Sequence, residues 1–174
     1  MNIHPNTRVL LDAWKRLSDG SPAHEAPATN DDPSLVSSLF VLNHVGARDF
    51  AFHRAGASVE RLFGRQLIDH NFLSLWSDAD RNLVGAGLAV AAEDCGATLI
   101  HARGETLAGK RIDLEFSLAP LIREDSPSVR FLGLCQAMTP EEVLNGRPIS
   151  RLQAVAVYPP APDREASIRL VTSR

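Results

Sequence analysis

The chain has 174 residues, 44% of them hydrophobic and 22% charged, with a formal net charge of −3. That length and balance suit one domain with a core and short extensions, and the acidic surplus excludes the basic composition of a nucleic-acid binder. The only cysteines, Cys95 and Cys135, fit neither a zinc spacing nor a disulfide framework, which implies a reducing, cytoplasmic setting.

From the N-terminus, Met1 to Arg8 lack the apolar stretch of a secretion signal. Residues 7–18 predict an amphipathic helix, with Leu10, Ala13, Trp14 and Leu17 on one stripe and Asp12, Lys15 and Arg16 opposite, stopped at Gly20. Pro22 to Asn30 reads as a linker, so residues 1–30 form an N-terminal helix and linker. Asp32-Pro33 opens a short helix, with Asp32 as its cap. The strand Leu39 to Val45 is apolar on both faces: Leu39, Val41 and Val45 point one way, Phe40 and Leu42 the other. Such a strand belongs in the middle of a sheet. Gly46 to Asp49 turns the chain into a partner strand, Phe50 to Ala55, closed by Gly56.

Two short helical segments follow, Ser58 to Phe63 and Asp69 to Leu75, separated by Gly64, which suits the positive φ at the end of a helical turn. A longer helix starts at Ser77, with Asp80 near its positive end, a stripe of Val84, Leu88, Ala91 and Ala92, and Gly96 as an expected left-handed cap. The run Leu83 to Ala92 inside it is about half the length of a membrane span, so no membrane association is expected.

Three longer strands complete the pattern: Ala97 to Leu107, Arg111 to Leu118 and Val129 to Met138. The second alternates, with Ile112, Leu114, Phe116 and Leu118 toward the core and Arg111, Asp113, Glu115 and Ser117 outward. The third is apolar on both faces, Val129, Phe131 and Cys135 against Leu132, Leu134 and Met138. The first and last strands are therefore central, which predicts an α+β fold with a five-stranded antiparallel sheet in the order 2-1-5-4-3. Its second apolar face needs a cover, and the helix carrying Trp14 and Leu17 is the natural one, from this chain or from a partner subunit. The sheet domain is expected over 31–140. Residues 141–174 read as a C-terminal extension, with weak alternation at Arg151 to Tyr158 and a short strand at Ile168 to Val171.

Phe52-His53-Arg54-Ala55-Gly56-Ala57, Leu62-Phe63-Gly64-Arg65 and Phe72-Leu73-Ser74-Leu75-Trp76 form a series. With Trp14 and the Asp31-Asp32-Pro33 entry, it resembles a family of small bacterial single-domain PAS proteins over residues 10 to 150. The chain departs from the family's pattern at three places: no leucine separates Arg54 from Ala55, Ala57 stands where threonine is common, and Asp69-His70 replaces a Thr-Gly pair. The resemblance implies a PAS fold with a helical crossover on one sheet face and the N-terminal helix on the other. It implies a non-catalytic regulatory module of signal transduction acting through protein–protein contacts. Its expected partners are a second copy, as a homodimer, and a signalling protein such as a sensor kinase.

A cavity between crossover and sheet is expected to be lined by Phe52, Leu62, Phe63, Leu67, Phe72, Leu88, Leu114 and Phe116. The outer interface is expected at Leu10, Trp14, Leu17, Leu132 and Leu134. His53, Arg54, Arg61 and Arg65 form a candidate anion site for a ligand such as a nucleotide, with solvated surface charge as the alternative. His70 lies where related domains place a haem ligand nearby, and one His can hold haem, but its place beside a turn favours a surface role. No cofactor and no metal are expected. A flavin–thiol adduct needs a cysteine in the crossover, and none lies between Ser58 and Trp76.

His101, Asp113 and Glu115 sit on adjacent strands, and a general acid–base pair would need them to converge on the cavity. The alternation instead places Asp113 and Glu115 outward as cross-strand charge partners. No phosphate loop, nucleophile elbow, HExxH or CxxC is present. Two further readings stay open. One is a metabolite or nucleotide sensor with an occupied cavity. The other is a small α+β isomerase-like enzyme with a polar group pointing into it.

Overall fold

The strand patterns close one antiparallel sheet. A computed structural model of the chain describes residues 3–18, 33–121 and 128–160, apart from the Leu17 side chain. Gly20, the linker at Pro22 to Asn30, the Asp32 cap and the strand at Ile168 to Val171 lie outside the described residues. The elements are α1 (Pro5–Ser18), α2 (Pro33–Ser37), β1 (Leu39–Gly46), β2 (Asp49–Ala55), α3 (Ala57–Phe63), α4 (Asp78–Glu93), β3 (Thr98–Thr106), β4 (Arg111–Leu121), β5 (Arg130–Ala137) and β6 (Ile149–Tyr158). Short 3-10 turns occupy Phe72–Leu75 and Glu141–Leu144.

The sheet has six strands in the order β2-β1-β5-β4-β3-β6. The expected 2-1-5-4-3 order is present, with one strand added at the edge. Residues after 140 therefore do not stand apart from the sheet: β6 pairs antiparallel with β3, and Ile149 and Leu152 are buried. Its weak alternation has a cause, because the pairing slips at His101/Ala102 and at Glu105/Thr106 and each slip breaks the two-residue period.

The free edge of β6 is held by the start of α4. The Asp80 carboxylate accepts the Ser77 hydroxyl at 2.6 Å and the Ala154 N–H at 3.1 Å, while the Ser77 N–H donates to the Leu152 carbonyl at 2.8 Å. Ser77 thus makes no side-chain cap to the α4 backbone; its hydroxyl is turned onto Asp80, which ties the helix to the strand. Asp80→Ala should cost about 1–3 kcal/mol by stranding these donors. Hydrogen exchange should then speed up at Ala154 and across β6, with the β1–β5 amides unchanged. Equal rates along β6 in the variant would mean that Asp80 does not hold the edge.

The left-handed residue ending α4 is Cys95 (φ +51), not the expected Gly96. Gly96 is needed for space, since a Cβ there would lie 2.4 Å from Cβ of Pro160. Gly64 does take the positive φ expected of it, +62.

The crossover elements pack on the inner sheet face, where Phe40, Leu42, Phe52, Ile112, Leu114, Phe116 and Phe131 are buried. The outer face is covered by α1 of the same chain. Leu10 and Trp14 are buried, and the Trp14 indole N–H donates to the Pro120 carbonyl at 2.8 Å. This cover lies over β4 and β5 and buries Leu134 and Ala119. It does not reach all of β1, whose Leu39 and Val41 are only half-buried and whose Val45 is 68% exposed. The expectation of a β1 buried on both faces therefore fails at its far end.

Candidate functional site: a filled interior and a covered outer face

The eight residues expected to line a cavity are all buried and belong to one apolar cluster. The phenylalanines among them come from β2, β4, α3 and the 3-10 turn, and four aromatic side chains lie around a hub at Phe72. Its ring centroid is 5.8 Å from Phe40, 5.8 Å from Phe52, 5.7 Å from Trp76 and 5.8 Å from Phe116. Most of these pairs are edge-to-face, the arrangement the ring quadrupole favours. β5 gives up a side chain to admit one ring: a Cβ on Gly133, which pairs with Phe40, would stand 2.2 Å from that ring. The space between sheet and crossover is occupied by these side chains.

The four basic residues lie on β2, on α3 and just beyond the end of α3. His53 and Arg54 are exposed on β2. Arg61 pairs with Glu141 at 3.1 Å, both partners largely solvated. Arg65 lines a groove that Arg147 also lines. His70 is exposed, and its Nδ1–H donates to the Ile68 carbonyl at 3.1 Å, a local turn contact. Cys135 is buried in β5, and desolvation, followed by the nearby Glu141 charge, pushes its thiol far above the ordinary range. It stays protonated and acts as core packing. Cys95 is exposed at the end of α4.

The outer face carries the polar feature that the sequence reading placed but did not see buried. Register pairs His101 with Glu115 and Arg103 with Asp113, the expected cross-strand partners. Asp113 and Arg103 meet at 3.1 Å in solvent. Glu115, by contrast, is fully buried under α1. Its carboxylate accepts the Thr7 hydroxyl at 2.6 Å and the His4 N–H at 3.1 Å, and Nε2 of His101 is 3.1 Å away. α1 has no acidic residue in its first turn, so Glu115 supplies from the sheet the negative charge that a helix N-terminus favours. His4 adds its own cap, Nδ1 accepting the Asn6 N–H at 3.2 Å. Thr7 and His4 were missed in the sequence; the available signal was an amphipathic helix lacking an acid of its own at its start. Beside this anchor the outer face continues into an open groove of about 300 Å³ lined by His101, Arg103, Asp113, Met138, Val155 and Tyr158.

Among the described residues, no group of three or more His, Cys, Asp or Glu side chains is placed to hold a metal. No helix among them is long and apolar enough to cross a membrane.

A model of the family described as PAS domain matches residues 2–136. The chain belongs to the PAS domain family. PAS domains are typically signal-sensing regulatory modules, and the strand order and crossover described above are those of this fold. Similar solved structures include the blue-light photoreceptor Aureochrome1 LOV in its dark structure, at 14% identity and TM-score 0.49, covering 64% of this chain and 82% of that one. The LOV protein of Rhodobacter sphaeroides follows at 16% identity and TM-score 0.47, covering 61% of each chain. The PAS domain of a protein from Colwellia psychrerythraea has 18% identity and TM-score 0.44, covering 58% of this chain and 85% of that one. A comparison with curated proteins gave no match. A light-oxygen-voltage domain among the similar structures was studied with a flavin analogue. In this PAS domain the crossover from Ser58 to Trp76 offers no thiol for a flavin adduct.

Proposed function

We propose that this PAS domain is a non-catalytic regulatory module that passes its signal through protein contacts on the outer sheet face, as a homodimer and with a signalling protein such as a sensor kinase. The observation that carries this reading is the way α1 is attached. A helix that is part of a permanent core is held by apolar burial, whereas α1 rests on a buried carboxylate, a hydroxyl and one indole hydrogen bond in addition to Leu10 and Trp14. Ser117 Oγ and Gln136 Nε2 on β4 and β5 are also buried, with no partner among the described residues. A polar layer under a helix is costly in a core and suits a surface that opens. The neighbouring groove exposes Val155 and Tyr158 to a partner.

The enzyme reading needs a titratable group facing the interior. Glu115 and His101 lie on the opposite side of the sheet, which supports a non-catalytic role. The filled interior likewise favours contact over a ligand held inside.

Light scattering on the full chain and on a version lacking residues 1–30 tests the proposal. The full chain is expected to be dimeric, and the truncation to change oligomeric state or solubility. Val155→Glu, at a position 60% exposed, should leave stability within about 0.5 kcal/mol and weaken self-association. A full chain that stays monomeric and binds no partner, with Val155→Glu without effect, would overturn the outer face as the signalling surface.

A further inference from the structure

The structure assigns a second binding site, for a small organic oxyanion on an apolar body, to the groove between the end of α3, the start of β6 and the β3–β4 turn. The groove encloses about 330 Å³, within the range of small-ligand sites. Its walls are Phe63, Leu75, Pro148 and Ile149, with Leu107 at the rim, and Arg65 and Arg147 stand on it.

Two observations set it apart from the other surface grooves. The first is unbalanced charge. In the outer-face groove Arg103 is paired with Asp113, and in the one near the β1–β2 turn Arg81 is paired with Asp78, which leaves a single cation there, Arg48. In this groove both guanidinium groups lack an ion pair among the described residues, and no carboxylate lies on its walls. Arg65 and Arg147 are far apart in sequence and are joined by a pinch. Gly64 packs so closely on Pro148 that a Cβ there would come within 2.7 Å of the proline Cβ, and the two arginines are the residues next to that contact. Two positive charges lining one groove repel, an arrangement that a shared anion relieves; planar guanidinium groups match carboxylate and phosphate oxygens with paired hydrogen bonds.

The second observation is Leu107, 95% exposed at the turn above the groove. It has no core to join, and a ligand with an apolar body would bury it against Phe63 and Ile149. The chemistry recognised is thus a carboxylate or phosphomonoester carried on a hydrocarbon or ring.

The test is a titration of the full chain, labelled with nitrogen-15, using phenyl phosphate and octanoate as separate arms and inorganic phosphate as the charge-only control. Saturable shifts at Phe63, Leu75, Arg147 and Ile149 with either organic anion support the site, and the arm that binds more tightly identifies the oxyanion. Arg65→Gln with Arg147→Gln should weaken binding by about tenfold or more. Leu107→Ser should weaken only the organic anions, leaving inorganic phosphate unchanged. All three positions are exposed, and an unchanged melting temperature without ligand verifies the fold of each variant. The wild-type shift map needs no variant at all. Three results would each overturn the assignment: no saturable shift with either organic anion, shifts that map elsewhere, or equal binding by the double-arginine variant.

Discussion

Phe72→Ala should destabilise the protein by about 3–5 kcal/mol, the range for deleting a buried aromatic ring. The loss is expected in full because Phe72 touches Phe40, Phe52, Trp76 and Phe116 at once, and those four rings are fixed by the sheet and crossover that carry them. Four edge or stacked contacts go with the ring, and the walls cannot collapse far without moving strands. A solvated ion pair such as Arg61–Glu141 is worth at most about 1 kcal/mol by comparison. Urea melts at constant slope give the magnitude. The same variant tests whether the interior is filled. An apolar cavity of this kind stays dry and accepts a small aromatic molecule, so benzene should raise the melting temperature of Phe72→Ala and leave the wild type unchanged. If benzene stabilised the wild type equally, the interior would have room for a ligand, and the sensor reading would displace the contact reading. Gly133→Ala probes the opposite error. It drives a methyl into the Phe40 ring and should cost about 1–3 kcal/mol through overpacking.

What could be read from the sequence was whatever a local pattern encodes. The alternation of Ile112, Leu114, Phe116 and Leu118 placed β4 and its inner face, because side-chain direction in a strand follows residue parity alone. The double-sided apolar strands β1 and β5 gave their side-by-side pairing, and the PAS-like series from Phe52 to Trp76 gave the crossover. Three features depend on contacts distant in sequence and left at most a faint local trace. β6 was obscured by its two slips of register against β3. Glu115 sits in an ordinary outward position of β4, and only the placement of α1 buries it. Arg65 was grouped with its sequence neighbours His53, Arg54 and Arg61, whereas the Gly64–Pro148 contact gives it Arg147 as companion. The cavity-lining residues were identified as a set that packs together; that their own rings occupy the space is a matter of volume, which parity and spacing do not carry.

Glu115→Ala should cost about 3 kcal/mol, the upper end of the range for leaving buried hydrogen-bonding groups unsatisfied. The substitution strands the Thr7 hydroxyl and the His4 N–H and removes the counter-charge of a helix start that has none of its own. Glu115→Gln retains an acceptor for Thr7 and His4 and loses the charge, so it should cost about 1 kcal/mol. The site of the damage distinguishes this from general weakening. The chain has two tryptophans; Trp76 is sealed among the interior rings, and Trp14, carried on α1, is buried where that helix meets the sheet. Detachment of α1 should therefore shift emission to the red through Trp14 alone, with fast exchange of the α1 amides and slow exchange persisting in β3, β4 and β5. An Ala variant with unchanged emission and unchanged α1 protection would mean that Leu10 and Trp14 hold the helix unaided, and the polar layer would then have no part in release. With the expected outcome, one carboxylate sets how often the outer face opens. A partner that binds the opened face then gains an affinity limited by the fraction of chains in which α1 has left, so Glu115→Ala should strengthen partner binding while it weakens the fold.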